Sequence, residues 1–261
     1  MNMLASEIGI ISIGLFCIGA IIGSFLHVVA ERYGSGKSAL SGRSYCPHCK
    51  KSLTALQLVP LFSYIYSRAA CMFCKQEIPF HYPVIELLSG ILAVALIAPS
   101  SIGQSGLVSS VLLFCAACVL LVLIRIDMKL MLLPDRYVGL LGILAVSIVI
   151  VSGGSVDDSV LGALVGAGAL YGLWLGSGGA GIGFGDVKLM IPLGILFGLR
   201  GVVALLFFSF LAGGSVGVFL LATGRATPKT AIPFGPFLAG SALFMMIFPY
   251  IADRFFILLG V

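Results

Sequence analysis

Run after run of this chain is too apolar, and too nearly free of charge, to face water. Eight stretches, at about 8–28, 83–99, 107–126, 137–152, 158–176, 187–199, 201–222 and 232–251, approach or reach the ~20 residues a helix needs to cross a bilayer. The second, fourth and sixth are the short ones. Only 10% of the 261 residues are Asp, Glu, Lys or Arg, against roughly 25% in a soluble globular domain. So little polar surface excludes a large water-soluble core. The chain reads as an all-α polytopic membrane protein of about eight transmembrane helices. Three segments are expected: a first helix (1–28), a polar loop (29–82) and a seven-helix membrane domain (83–261).

The first span opens on "MNMLASEIGI", which carries Glu7 and no Lys or Arg. A secretory leader would begin with basic residues and end at a cleavage site. Here the apolar run continues into "GSFLHVVAERY", so a retained helix with its N-terminus outside is expected. The C-terminal "FILLGV" has no prenylation motif. With that orientation, thirteen of the fifteen Lys and Arg residues border interior loops, and only Arg200 and Arg254 fall outside. Such asymmetry marks cytoplasmic loops. It also accounts for the net charge of +5, so nucleic acid is not an expected partner. Glycine clusters such as "GALVGAGALYG" (162–172) and "AGGSVG" (212–217) suit helices packed through small residues.

Residues 29–82 are the one sizeable polar segment. It holds "CPHC" (46–49) and, 21 residues later, "CMFC" (71–74). Two such knuckles can supply four thiolates to a structural, tetrahedral zinc site with no open position. The alternatives are two disulfides or buried free thiols, and a reducing cytoplasm argues against the disulfides. "CAAC" (115–118) lies inside an apolar helix and, with Cys17, reads as small buried side chains. "GSGKS" (34–38) lacks the first glycine of a phosphate loop. "GSGGAG" (176–181) follows a membrane helix instead of a strand, so neither is a nucleotide site.

Five acids sit at the ends of apolar helices: Glu86, Asp127, Asp135, Asp157 and Asp186. At membrane depth an ionisable side chain is costly and is a functional candidate. A helix-end Asp is also often only a cap, and Asp135 and Asp157 read that way. Asp127 instead ends a helix, where the macrodipole opposes it, although Arg125 and Lys129 could compensate it at the surface. Asp186 follows the alternating Gly181, Gly183 and Gly185, a backbone able to approach something closely, yet it too could be a cap. Together the two could share a proton and activate a water. Spacing permits that pairing without establishing it.

The same residues resemble the type IV prepilin peptidases, membrane aspartic proteases of the GxGD type, along nearly the whole chain. "GSFLHVVAER" (23–32), the two cysteine knuckles, "YPVIELLSG" (82–90), "IDMKLMLLPD" (126–135), "GIGFGDVKL" (181–189) and "IPFGPFL" (232–238) stand in the family's order. The resemblance implies Asp127 and Asp186 as catalytic residues, and Cys46, Cys49, Cys71 and Cys74 as zinc ligands. Pro134, Gly183, Gly185 and Lys188, in the two matched segments, are expected to support the active-site loops. It implies removal of the short basic leader of prepilins or pseudopilins after a Gly, at the cytoplasmic face of a bacterial inner membrane. Many members then methylate the new N-terminus with S-adenosylmethionine. His27 stands where the family usually has Asn, and Ala69-Ala70 where Gly and a basic residue are common. Both departures fall in the part associated with methyl transfer. His27 reads as a helix-end residue facing a polar loop, or as a ligand or titrating group. The rivals from other classes are a proton-coupled transporter using Asp127, Asp186 and Glu86, and a noncatalytic scaffold of a pilus or secretion machine. The oligomeric state is open.

Overall fold

The computed structural model describes residues 2–35, 38, 44–101, 106–179, 181–227 and 230–258. Gly36 and Lys37 of one dismissed phosphate-loop match, Ala180 of the other, and the last three residues of the C-terminus lie outside that set. Among the described residues every named element is helical, and the chain divides into two compact units, Met1–Ser105 and Gly106–Val261.

In the first unit, α1 (Asn2–Arg32) packs along α3 (His81–Ser101). Gly19 and Gly23, one turn apart on α1, make the approach possible. A Cβ on Gly19 would lie 2.9 Å from the Gly90 Cα, and one on Gly23 would lie 2.9 Å from the Glu86 Cα. No larger side chain fits between backbones that close, which is how small residues join helices in lipid. Between the two helices the chain forms a 3-10 turn (Ala55–Leu58), the short α2 (Phe62–Tyr66) and the cysteine knuckles. Glu86, 9% exposed, accepts the Leu61 N–H at 2.8 Å. Leu61 has φ +61°, so this buried carboxylate holds a strained residue at the start of α2.

The second unit holds α4 (Leu107–Leu130), α5 (Asp135–Ser152), α6 (Val156–Gly176), α7 (Phe184–Ala222), α8 (Gly235–Ile247) and α9 (Ile251–Leu258). Among the described residues six helices are long and apolar enough to cross a membrane, or seven with α8 and α9 as one bent span. Two of the expected spans, 187–199 and 201–222, are joined without a loop in the 39-residue α7. Straight, that helix would be about 58 Å long, nearly twice the hydrocarbon core. It is not straight. Gly198 breaks it with φ 66° and ψ −175°, a conformation that essentially only glycine adopts. A Cβ on Gly166 would lie 2.8 Å from both Met190 Cγ and Val202 Cγ1. Those two side chains would be about 18 Å apart along a straight helix. The element is therefore a hairpin of two arms, 184–197 and 199–222, with α6 packed into the fold through Gly162, Gly166 and Gly194.

Asp158 closes this reversal. Its carboxylate accepts the Leu199 N–H at 3.2 Å, one of the orphan donors where the second arm begins. The cap of α6 itself is Ser155, whose side chain accepts from the Asp158 N–H. Asp157, expected as that cap, instead occupies the first turn. The last expected span is shortened as well. Pro249 cannot continue a helix, and α9 leaves α8 at 95°. Of the cysteines expected to be buried, Cys118 is, whereas Cys17 and Cys115 are exposed on their helices.

Candidate active site and metal centre

Two acids and a glycine meet in the second unit. Asp127 lies in the last turn of α4, where its carbonyl oxygen accepts the Met131 N–H at 2.8 Å. Asp186 lies in the first turn of α7 and is not its cap, which is Gly183. Each Asp is 5% exposed. The two elements bring them to one place although 58 positions separate them in sequence. A Cβ on Gly235 would lie 2.5 Å from Asp127 Oδ2 and 3.3 Å from Asp186 Oδ1. The two oxygens thus face the same small volume, within about 6 Å of each other, the range in which two carboxylates interact strongly.

Each acid is held differently. Asp186 Oδ2 accepts the Gly183 N–H at 3.1 Å, while Oδ1 is the oxygen turned toward Gly235. One oxygen orients the side chain and the other faces its partner. Asp127 is placed against the dipole of its own helix, but Gly235 opens α8 and its amide donates to that carboxylate. A helix N-terminus with free amides offsets the unfavourable end of α4.

The four residues expected to support these loops lie at the starts of α5 and α7. Pro134 caps α5, and its carbonyl accepts from Tyr137 and Val138. Gly183 holds Asp186 as described. A Cβ on Gly185 would press on Leu133 at 3.2 Å, so the start of α7 lies against the segment that leads out of α4. Lys188 forms an ion pair with Asp135, which therefore joins the beginning of α5 to the first arm of α7. Asp135 is the first residue of α5 rather than its cap. Sequence reasoning missed Gly235. The Gly-Pro pair opening the run "GPFLAGSALFMMI" signals a helix start, but nothing in it tells of the carboxylates it faces.

In the first unit the four cysteines converge. The sulfurs of Cys46, Cys49, Cys71 and Cys74 all lie within 4.8 Å of one another, and Cys46 and Cys74 are 3.8 Å apart. A tetrahedron of 2.3 Å zinc–sulfur bonds places its sulfurs about 3.8 Å apart, whereas a disulfide needs about 2.05 Å. The knuckles are built alike. In the first, the Cys46 N–H donates to Lys51 O and its carbonyl accepts from Lys50. In the second, Cys71 does the same with Gln76 and Lys75. Lys50 and Lys75 both have φ near +60°. Amides of Cys74 and Phe73 pull the Cys71 thiol down to about 6. The Gln76 amide acts to lower Cys74, but burial and the neighbouring sulfurs push it up to about 11. Crowded thiols of this kind favour a dication that relieves their mutual repulsion. The group could hold a zinc ion.

His27 lies near the end of α1 and lines a cavity together with Tyr45, Cys46 and Tyr64 of the polar loop. Helix α1 runs on to Arg32, and His27 is 3% exposed, with the Tyr82 ring 3.7 Å from its own. The cavity, of about 420 Å³, lies in the same unit, lined among others by Glu31, Tyr64, Tyr82 and Glu86. Its size suits a small organic ligand.

Comparison with known proteins covers both units. The model of the bacterial peptidase A24 N-terminal domain matches residues 17–99, and that of the type IV leader peptidase family matches residues 112–218. The chain is 32% identical over 235 residues to a prepilin leader peptidase/N-methyltransferase of Bacillus subtilis (strain 168), spanning 88% of this chain and 91% of that one. To the protein of that name from Burkholderia pseudomallei (strain 1026b) it is 33% identical over 275 residues, 93% of this chain and 86% of the relative. For Aeromonas hydrophila the values are 36% over 207 residues, 76% and 68%. No solved structure matches. With relatives aligned along most of their length and apolar helices able to cross a membrane several times, this multi-pass chain belongs to the type IV leader peptidase family.

Proposed function

We propose that this chain is an aspartic endopeptidase that removes the short basic leader of type IV prepilins or pseudopilins, cutting after a Gly at the cytoplasmic face of a bacterial inner membrane. The observation that carries the reading is the convergence of Asp127 and Asp186 on Gly235, two buried carboxylates with no space between them for a side chain. Two acids in such a site hold one proton between them. The charged one takes a proton from a water, which attacks the scissile carbonyl carbon. The protonated one hydrogen-bonds the oxygen as it becomes an oxyanion. Collapse of the tetrahedral intermediate breaks the C–N bond, and the departing amine takes a proton from the dyad. No covalent enzyme intermediate forms.

The relatives' names include N-methyltransferase, and the same second activity is proposed here, in the first unit. The cavity there fits S-adenosylmethionine in size, and the carboxylate of Glu86 with the rings of Tyr64 and Tyr82 suits its sulfonium charge. When bound, that cofactor supplies the methyl group to the new α-amine. Structural zinc on the four cysteines fixes the loop that forms one wall. The segments 1–28, 29–82 and 83–261 then serve as first anchor, metal-bound loop and membrane domain carrying the dyad.

The test is the intact mass of a prepilin-like substrate incubated with purified protein and S-adenosylmethionine. Wild type should remove the leader. Asp127→Asn and Asp186→Asn should each abolish removal while remaining folded and membrane-inserted. Either variant cutting at the wild-type rate takes that residue out of the mechanism. An added methyl mass would show that His27 and Ala69-Ala70 are compatible with methyl transfer, and a trimmed, unmethylated product would mean a protease alone.

A further inference from the structure

Leader cleavage makes no use of a second cluster of metal-binding side chains in the first unit. His27 and Glu31 lie one turn apart on the same face of α1, and His81 opens α3. His27 Nε2 is 4.0 Å from Glu31 Oε1, and His81 Nε2 is 3.9 Å from that same oxygen. One ligand atom from each of the three lies within 4.8 Å of the others. The two imidazoles are stacked, with ring centres 5.2 Å apart.

Both separations exceed a hydrogen bond. They approach the span across a metal ion. With bonds of about 2.0–2.1 Å to nitrogen and oxygen, tetrahedral zinc sets its ligands about 3.4 Å apart. Closing the remaining gap, ~0.6 Å at the carboxylate and at most ~1.4 Å between the imidazoles, requires side-chain rotations, and Glu31 and His81 have room for them, at 26% and 36% exposed. We propose that His27, Glu31 and His81 form a second metal site, distinct from the four cysteines and selective for a divalent transition ion such as Zn²⁺.

The donor set decides the class of ion. Two imidazoles and one carboxylate suit zinc and its first-row neighbours, whereas calcium and magnesium take all-oxygen cages. The two centres also differ in kind. Four thiolates fill every position of the cysteine site, while three protein donors leave a fourth position open. His27 and Glu31 line the cavity of about 420 Å³, so the open position faces it. A water, or an anionic group of whatever occupies the cavity, would complete the shell. Such an ion would tie the end of α1 to the start of α3 and place a Lewis acid at the cavity wall.

Metal stoichiometry tests this without reference to cleavage, so its failure would leave the proposed protease untouched. Untagged full-length protein in detergent is stripped, reloaded with Zn²⁺ and dialysed, and bound zinc is counted by elemental analysis. Wild type should hold two ions per chain. Glu31→Gln and His81→Gln, both at partly exposed positions that do not endanger folding, should each hold one. Their affinity for the second ion should fall by about 100-fold or more. The double variant Cys46→Ser/Cys71→Ser, loaded with Co²⁺, should keep one ion with weak visible bands and no sulfur-to-metal charge transfer. One ion in wild type would overturn the proposal. So would a second ion that persists in both Glu31→Gln and His81→Gln, or one that shows thiolate charge transfer in the cysteine variant.

Discussion

At Gly235 a hydrogen atom stands where every other residue would place a carbon 2.5 Å from a carboxylate oxygen. Gly235→Ala should therefore push the Asp127 carboxylate aside without unfolding α8. A misplacement of about 1 Å can cost ~100-fold in rate, so leader removal should fall by about that factor or more while thermal unfolding in detergent changes little. Cleavage by Gly235→Ala at a near-normal rate would show that the dyad does not need this approach. Lys188 makes the contrasting case. Its pair with Asp135 lies at the surface, with the two side chains 36% and 78% exposed, and surface pairs contribute roughly 0–1 kcal/mol. Lys188→Ala should lower the rate only several-fold, far less than Asp186→Asn, when both are assayed on one substrate. At this scale the sequence was partly legible. Asp186 at a glycine-rich helix start and Asp127 against its helix dipole were visible as oddities. Their union was not, because contact across 58 positions depends on helix packing, and only resemblance to known peptidases paired them. Gly235 was invisible for the same reason: its neighbours come from two other helices.

The elements are held by a few close backbone contacts, and the hairpin of α7 depends on one residue. At φ 66° and ψ −175° any side chain is strained by about 1–3 kcal/mol, and at Gly198 a Cβ would also run into the Asp158 carboxylate. Gly198→Ala should destabilise the protein by at least ~2 kcal/mol. Asp158→Ala, which removes only a cap from Leu199, should cost about 1 kcal/mol. Thermal unfolding of both in the same detergent gives the order, and a larger loss for Asp158→Ala would mean that the carboxylate, not the glycine, sets the reversal. Apolar periodicity could see two runs broken near residue 200. It could not see that Asp158, 41 positions before Leu199, caps the second run. The knuckles are the opposite case. Their spacing pointed to four converging sulfurs, with disulfides or free thiols left as alternatives, since much of the chemistry of the ligand set is written locally in each Cys-x-x-Cys.

The α7 hairpin also decides the sidedness of the second unit. Gly235, just beyond the second arm, touches both Asp127 at the end of α4 and Asp186 at the start of the first arm. A Cβ on Gly198 would meet the carboxylate of Asp158, at the start of α6. The described residues of the segments 131–134, 177–179, 181–183, 223–227 and 230–234 therefore share one end of this unit, and the reversal lies at the other. Were α7 a single crossing, Arg225 would emerge opposite Lys129 and Arg136, and the bias of Lys and Arg toward one side would be weakened. With two arms the bias holds within this unit, where among the described residues Arg200 and Arg254 lie on the far side. The prediction is a pattern of reporter activity. Alkaline phosphatase, active only outside the cytoplasm, should be active when fused after Ser155 or Arg200 and inactive after Met131, Ser177 or Thr227. Activity after Thr227 combined with inactivity after Ser177 would mean one crossing by α7. The reverse of the whole pattern would keep the hairpin but turn the dyad outward, which would overturn the proposal of cleavage at the cytoplasmic face.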